Sequence, residues 1–77
     1  MRAPRLLALL YRAPLNYRIV RQNGSHRRLE SISGYPPLGF SWHDSVTISR
    51  RHVRKVLVDD VGLSEEKALT LIQRGRR

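Results

Sequence analysis

Seventy-seven residues with fifteen Lys and Arg against six Asp and Glu, a formal net charge of +9, describe one small basic domain. A chain this short buries only about 60–65% of the surface its unfolded form exposes, which argues against a deep substrate cavity and places function on a surface, a groove or a partner interface. The absence of cysteine excludes disulfides and thiolate metal sites and fits a reducing cytoplasm, the expected location.

Thirteen of the basic residues are arginine, the side chain that grips phosphate through two parallel hydrogen bonds and stacks on bases. Together with an isoelectric point near 11.5, this favours a nucleic acid or another polyanion as partner. No acidic residue precedes Glu30. An acid-poor, arginine-bearing start can mark a targeting peptide, but the apolar run from Leu6 to Tyr11 is too short for a secretory core or a membrane span. It leads directly into strand-like sequence, so it reads as part of the fold, and no membrane partner is expected.

In chain order, Pro4 suits a first helical turn, and Leu6, Leu7, Leu9 and Leu10 supply a helix that Pro14 ends. Tyr17 to Gln22 is β-rich, with Tyr17 and Ile19 on one face and Arg18 and Val20 on the other. Asn23-Gly24 predicts a type I′ hairpin turn, with positive φ at both positions. A second strand from Ser25 to Ser31 sends His26, Arg28 and Glu30 to one face and Arg27, Leu29 and Ser31 to the other. Leu29 is the only apolar residue there, so its face is the buried one.

Residues 33–39 read as a loop, and Phe40 to His43 as a third strand with Phe40 and Trp42 inward. Ser49 is a helix cap. Val53, Val56, Leu57 and Val61 follow at helical spacing, and Gly62 is the stop. Ser64 opens a short helix with Glu65 and Glu66 in its first turn and an apolar side of Ala68, Leu69 and Ile72; Arg74 to Arg77 form a basic tail. The order is helix, three strands, helix, short helix. It predicts a single α+β domain over residues 1–77, with helices on one sheet face and His26, Arg28 and His43 on the other.

Several stretches resemble the HicA family of small toxins, messenger-RNA interferases of toxin–antitoxin systems. They are Val20-Arg21-Gln22-Asn23-Gly24-Ser25-His26 with Leu29 three residues on, the later strand carrying His43, and Val53-Arg54-Lys55-Val56-Leu57 leading to Gly62-Leu63-Ser64. The resemblance covers about residues 6–64. It implies a double-stranded-RNA-binding-like α-β-β-β-α two-layer fold, here with a short extra C-terminal helix. It implies metal-independent endoribonuclease activity on mRNA and an antitoxin partner of the HicB type. It also makes the histidine of Gly-Ser-His, His26, the catalytic residue. The sequence departs from the family in Arg27-Arg28, where more apolar residues are usual, in the loop from Ile32 to Leu38, and in Pro14-Leu15-Asn16, where a glycine often stands.

The residue types fit that chemistry. RNA carries its own nucleophile, the 2′-hydroxyl, and cleavage without a metal needs a base for its proton and donors for the charge that develops on phosphorus. Histidine titrates near neutrality and suits the first task; arginine suits the second. Arg21, Ser25, Arg27, Arg28 and His43 are the candidate RNA- and phosphate-contacting residues, with His43 a candidate acid if its strand lies beside that of His26. The bland alternatives are a turn histidine for His26, a polar strand residue beside Trp42 for His43, and a helix-surface residue for His52. The histidines, 17 and 9 residues apart, match no compact metal-ligand spacing, and the adjacent Asp59 and Asp60 do not share a helix face, so no cofactor is expected. Two other functions use the same features: a non-catalytic RNA-binding module of the same fold, and a DNA-binding accessory protein.

Overall fold

The computed structural model describes residues 1–74; the expected tail lies outside the described residues except for Arg74, which closes the last helix. Helix α1 (Ala3–Tyr11) has proline in its first turn and buries Ala3, Leu6, Leu7, Leu9 and Leu10. It ends before Pro14 through a turn in which the Leu15 and Asn16 amides donate to the Arg12 carbonyl, each at 2.9 Å. Asn16 takes the left-handed conformation there (φ 52°), one that asparagine tolerates better than most residues.

Strands β1 (Tyr17–Asn23), β2 (His26–Ser31) and β3 (Leu38–Phe40) form an antiparallel sheet in the order β1-β2-β3. Leu29 is fully buried on the central strand, opposite Ile19 on one side and Leu38 on the other. The third strand therefore sits earlier than Phe40–His43. Pairing Leu38 with Leu29 puts Leu38 and Phe40 on the packed face, and the strand can begin only after Pro36 and Pro37, which have no N–H to give to a ladder. The inward–outward alternation nevertheless continues past the end of β3. Trp42 packs edge-on against Phe40 at 5.2 Å, whereas Ser41 and His43 are exposed.

The Ser49 hydroxyl caps α2 (Arg50–Arg54), accepting from the His52 amide at 3.3 Å, and the helix continues as a π-helical segment over Lys55–Asp60. Val53, Val56, Leu57 and Val61 are all buried, as their spacing predicts. Gly62 stops the helix at φ +93°, a conformation that glycine adopts without strain. Ser64 then caps α3 (Glu65–Arg74) by accepting from the Lys67 amide at 3.1 Å.

Two expectations for α3 need correction. At ten residues it is as long as α1, not a short appendage, and its buried residues are Ala68 and Leu71 with Ile72 partly covered, while Leu69 is 56% exposed. Positions 68, 71 and 72 lie at i, i+3 and i+4 and share a face; position 69 stands about 100° away from 68.

All three helices meet the sheet in one core. Leu6, Leu7 and Leu10 of α1, Val53 of α2, Val56 and Leu57 of the π segment, and Ala68 and Leu71 of α3 join Tyr17, Leu29, Leu38 and Phe40 in a single cluster. The fold is α+β: helix, three antiparallel strands, then helices, with one sheet face covered and the other open. Among the described residues no helix is long and apolar enough to cross a membrane.

Tyr17 locks the loop before β3 to the core, its hydroxyl donating to the Pro36 carbonyl at 2.6 Å. Burial, then the neighbouring Tyr35 and Asp60, push its phenol up to about 12. Between the ordinary tyrosine range and that value, only the folded protein keeps this proton. Stability is therefore retained below pH 10 and falls as pH rises from about 10 towards 12. Urea denaturation at stepped alkaline pH should show this fall, and Tyr17→Phe should flatten it while lowering stability at neutral pH by about 1 kcal/mol for the lost hydrogen bond. Equal alkaline slopes in the two proteins would contradict the assignment.

Candidate functional site

The site is built on the β1–β2 hairpin. Asn23 and His26 face each other across the ladder, so the connection is the two residues Gly24 and Ser25. Only Gly24 has positive φ (+62°), as the first central residue of a type II′ turn does, so the expected type I′ turn centred on Asn23-Gly24 is not formed. The Gln22 side chain braces the turn by donating to the Gly24 carbonyl at 3.0 Å. His26 is consequently the first residue of β2. Its side chain is exposed and makes no hydrogen bond or ion pair among the described residues.

Its strand face is set by Leu29. Arg28 and Glu30 share the open face with His26, their side chains 3.9 Å apart in an exposed pair. Arg21 joins them because the ladder slips. Ile19 pairs with Leu29, but Arg21 pairs with Arg28, leaving Val20 as an extra residue in β1. Strict alternation would put Arg21 on the face of Tyr17 and Ile19; the bulge turns it over to lie beside Arg28 and two rungs from His26. Bulges re-aim side chains in this way. The signal in the sequence was the adjacent apolar pair Ile19-Val20, which breaks the alternation of the strand.

A shallow groove of about 430 Å³ runs across this end of the sheet, lined by Arg21, Asn23, His26 and Arg28 and, from the β3 side, by Gly39 and Ser41, with Arg27 and Phe40 beneath. Asn23, Gly39 and Ser41 are not among the site residues that the sequence points to. They carry no catalytic group, and only the pairing of the strands brings them to His26.

The other candidate residues lie differently. Arg27 points to the packed face. Its guanidinium sits 5.7 Å from the centre of the Phe40 ring and 3.0 Å from Asp44, with only 12% of its side chain exposed, and its Nη1 is buried without a partner. Ser25 is half-buried in the turn. His43 follows β3 in a turn closed by the Val46 amide donating to the His43 carbonyl at 3.0 Å; it is exposed and does not line the groove. His52 is held at the start of α2, its Nδ1 3.0 Å from Ser49 Oγ and its ring 6.4 Å from Trp42.

The groove thus brings one imidazole together with two arginines of the open face. Neither arginine is buried, and among the described residues only Arg28 has an acid nearby. This arrangement offers two cations to a phosphate group and one side chain that can accept or donate a proton. Among the described residues no three His, Asp or Glu side chains gather as a metal site. Compared with protein-family models, with curated proteins and with solved structures, the chain matches none.

The two neighbouring arginines of β2 should separate in a mutation pair. Arg27→Ala removes a covered cation over an aromatic ring and should lower stability by about 1–2 kcal/mol. Arg28→Ala removes an exposed side chain and should stay within about 0.5 kcal/mol of the parent. Chemical denaturation of the two variants checks this; equal costs would mean that Arg27 does not anchor the sheet to the Asp44 turn.

Proposed function

We propose that this protein is an endoribonuclease toxin of the HicA type, with a double-stranded-RNA-binding-like fold and His26 as its general base. The observation that carries this reading is the position of His26. It is an unengaged imidazole at the start of a strand, in a groove that it shares with Arg21 and Arg28. Support also comes from the helix, three strands and helix in the expected order, and from the Gly-Ser-His sequence at the turn.

The reaction follows from the substrate. His26 takes the proton of a 2′-hydroxyl, the 2′-oxygen attacks the adjacent phosphorus, and the bond to the 5′-oxygen breaks. The products are a 2′,3′-cyclic phosphate and a 5′-hydroxyl, the leaving oxygen being protonated by His26 or by solvent. Arg21 and Arg28 stabilise the charge that grows on the non-bridging oxygens. No step requires a metal ion. A nuclease of this kind needs restraint in its own cell, and a partner of the HicB antitoxin type fits that need. An acidic surface laid over His26, Arg21 and Arg28 would exclude RNA, and its association would be fast and salt-sensitive.

One observation favours a second reading. His43, the other candidate for proton transfer, lies outside the groove, so His26 is the one imidazole among the residues that line it. A groove with one imidazole and two arginines also suits a module that binds RNA without cutting it.

The deciding experiment is incubation of a defined RNA with the purified protein in EDTA, with mass spectrometry of the ends. Cleavage to 2′,3′-cyclic phosphate ends is expected, and His26→Ala should slow it by about 10²–10⁴-fold without loss of fold. Undiminished cleavage by a folded His26→Ala protein would remove His26 from the chemistry. RNA that is bound but never cut would leave the binding module as the function.

A further inference from the structure

Gly39 is a glycine that the backbone does not explain. It lies in the middle of β3, its φ is not positive, and a Cβ built on it would meet nothing within 4 Å beyond its chain neighbours among the described residues. Neither a turn nor close packing within the protein calls for it, and glycine inside a strand weakens the strand. It stands directly across the ladder from Arg28, on the open face, where its missing side chain leaves part of the groove beside His26 empty. A strand glycine without an internal reason often marks the place where a ligand approaches the backbone closely.

Resting on the reading of this groove as an RNA site, the geometry points to Gly39 as its specificity-determining residue: the gap over Gly39, between Arg28 and Ser41, receives the base of one unpaired nucleotide. A groove of about 430 Å³ lies within the size range of small-ligand sites and has room for a single nucleotide. The chemistry asks for such a recess. The 2′-oxygen must come into line with phosphorus and the leaving 5′-oxygen, and a stacked, base-paired A-form strand holds these atoms out of line. Drawing one base out of the stack onto the β3 backbone frees its sugar to rotate, with Arg21 and Arg28 holding the phosphate and His26 beside the ribose. Duplex RNA cannot enter the recess without losing a pair. Gly39 therefore sets a preference for single-stranded RNA, which the arginines alone would not provide.

The test is equilibrium binding in the His26→Ala background, where the probe survives. A short fluorescein-labelled RNA is titrated as a single strand and again as a duplex with its complement. The single strand should bind more tightly. Gly39→Leu should weaken single-strand binding by at least about tenfold, change duplex binding little and leave the unfolding temperature near that of the parent. If Gly39→Leu is folded and binds the single strand as the parent does, or if both RNAs lose affinity equally, the recess is disproved while the RNA site stands. If the parent protein binds neither RNA, the reading of the groove falls and the recess with it. Should Gly39→Leu fail to fold, Gly39→Ala decides. Its methyl group meets nothing within 4 Å beyond its chain neighbours among the described residues, so a severalfold loss selective for the single strand supports the recess and an unchanged affinity overturns it.

Discussion

Leu29 is the only apolar side chain on the central strand, it is fully buried, and its burial decides which way every other residue of β2 points. A slip of one residue would expose Leu29 and turn His26, Arg28 and Glu30 into the core, placing two potential charges and a polar ring among leucines. Truncating a leucine in such a position costs about 2–5 kcal/mol, and burying an unpaired charge costs more. The register is therefore strongly specified, and the exposure of the histidine follows from hydrophobic burial on the opposite face.

The two ends of the hairpin refine that arrangement. The Gly24-Ser25 turn fixes the first rung as Asn23 with His26, while the inner rung Ile19 with Leu29 is fixed by the core. There is one more residue in β1 between those rungs than in β2, and Val20 absorbs it. The bulge converts Arg21 from a residue of the packed face into a neighbour of Arg28. The concentration of positive charge beside His26 thus depends on the mismatch between a tight turn and a buried leucine. Arg27 shows the reverse case: an arginine on the covered face, used as packing over Phe40 and tied to Asp44, and so withdrawn from the open face.

Much of this was legible in the residues. The inward and outward faces of β2, the caps at Ser49 and Ser64, the stop at Gly62 and the buried stripe of Val53, Val56, Leu57 and Val61 each depend on local chemistry, and local chemistry is written in short stretches of sequence. What could not be read depends on distant partners. The position of β3 is set by Leu38 finding Leu29, the face of Arg21 by a bulge, and the burial of Leu71 over Leu69 by where the core lies beneath α3. His43 falls outside the groove because the chain turns there, the Val46 amide donating to the His43 carbonyl. A pattern of alternating residues cannot reveal where cross-strand pairing stops.

We propose that the open sheet face, and not the arginine-bearing helices, meets RNA. Arg50, Arg51 and Arg54 on α2 offer a competing basic surface, although Arg54 is already engaged by Glu65. Titrating a non-cleavable 2′-O-methyl RNA into the ¹⁵N-labelled protein, and following amide and arginine side-chain resonances, distinguishes the two surfaces. Shifts centred on Arg21, Asn23, His26, Arg28, Gly39 and Ser41 are expected, with α2 and α3 little changed. Shifts centred on Arg50, Arg51 and the start of α2, with the hairpin unmoved, would contradict it.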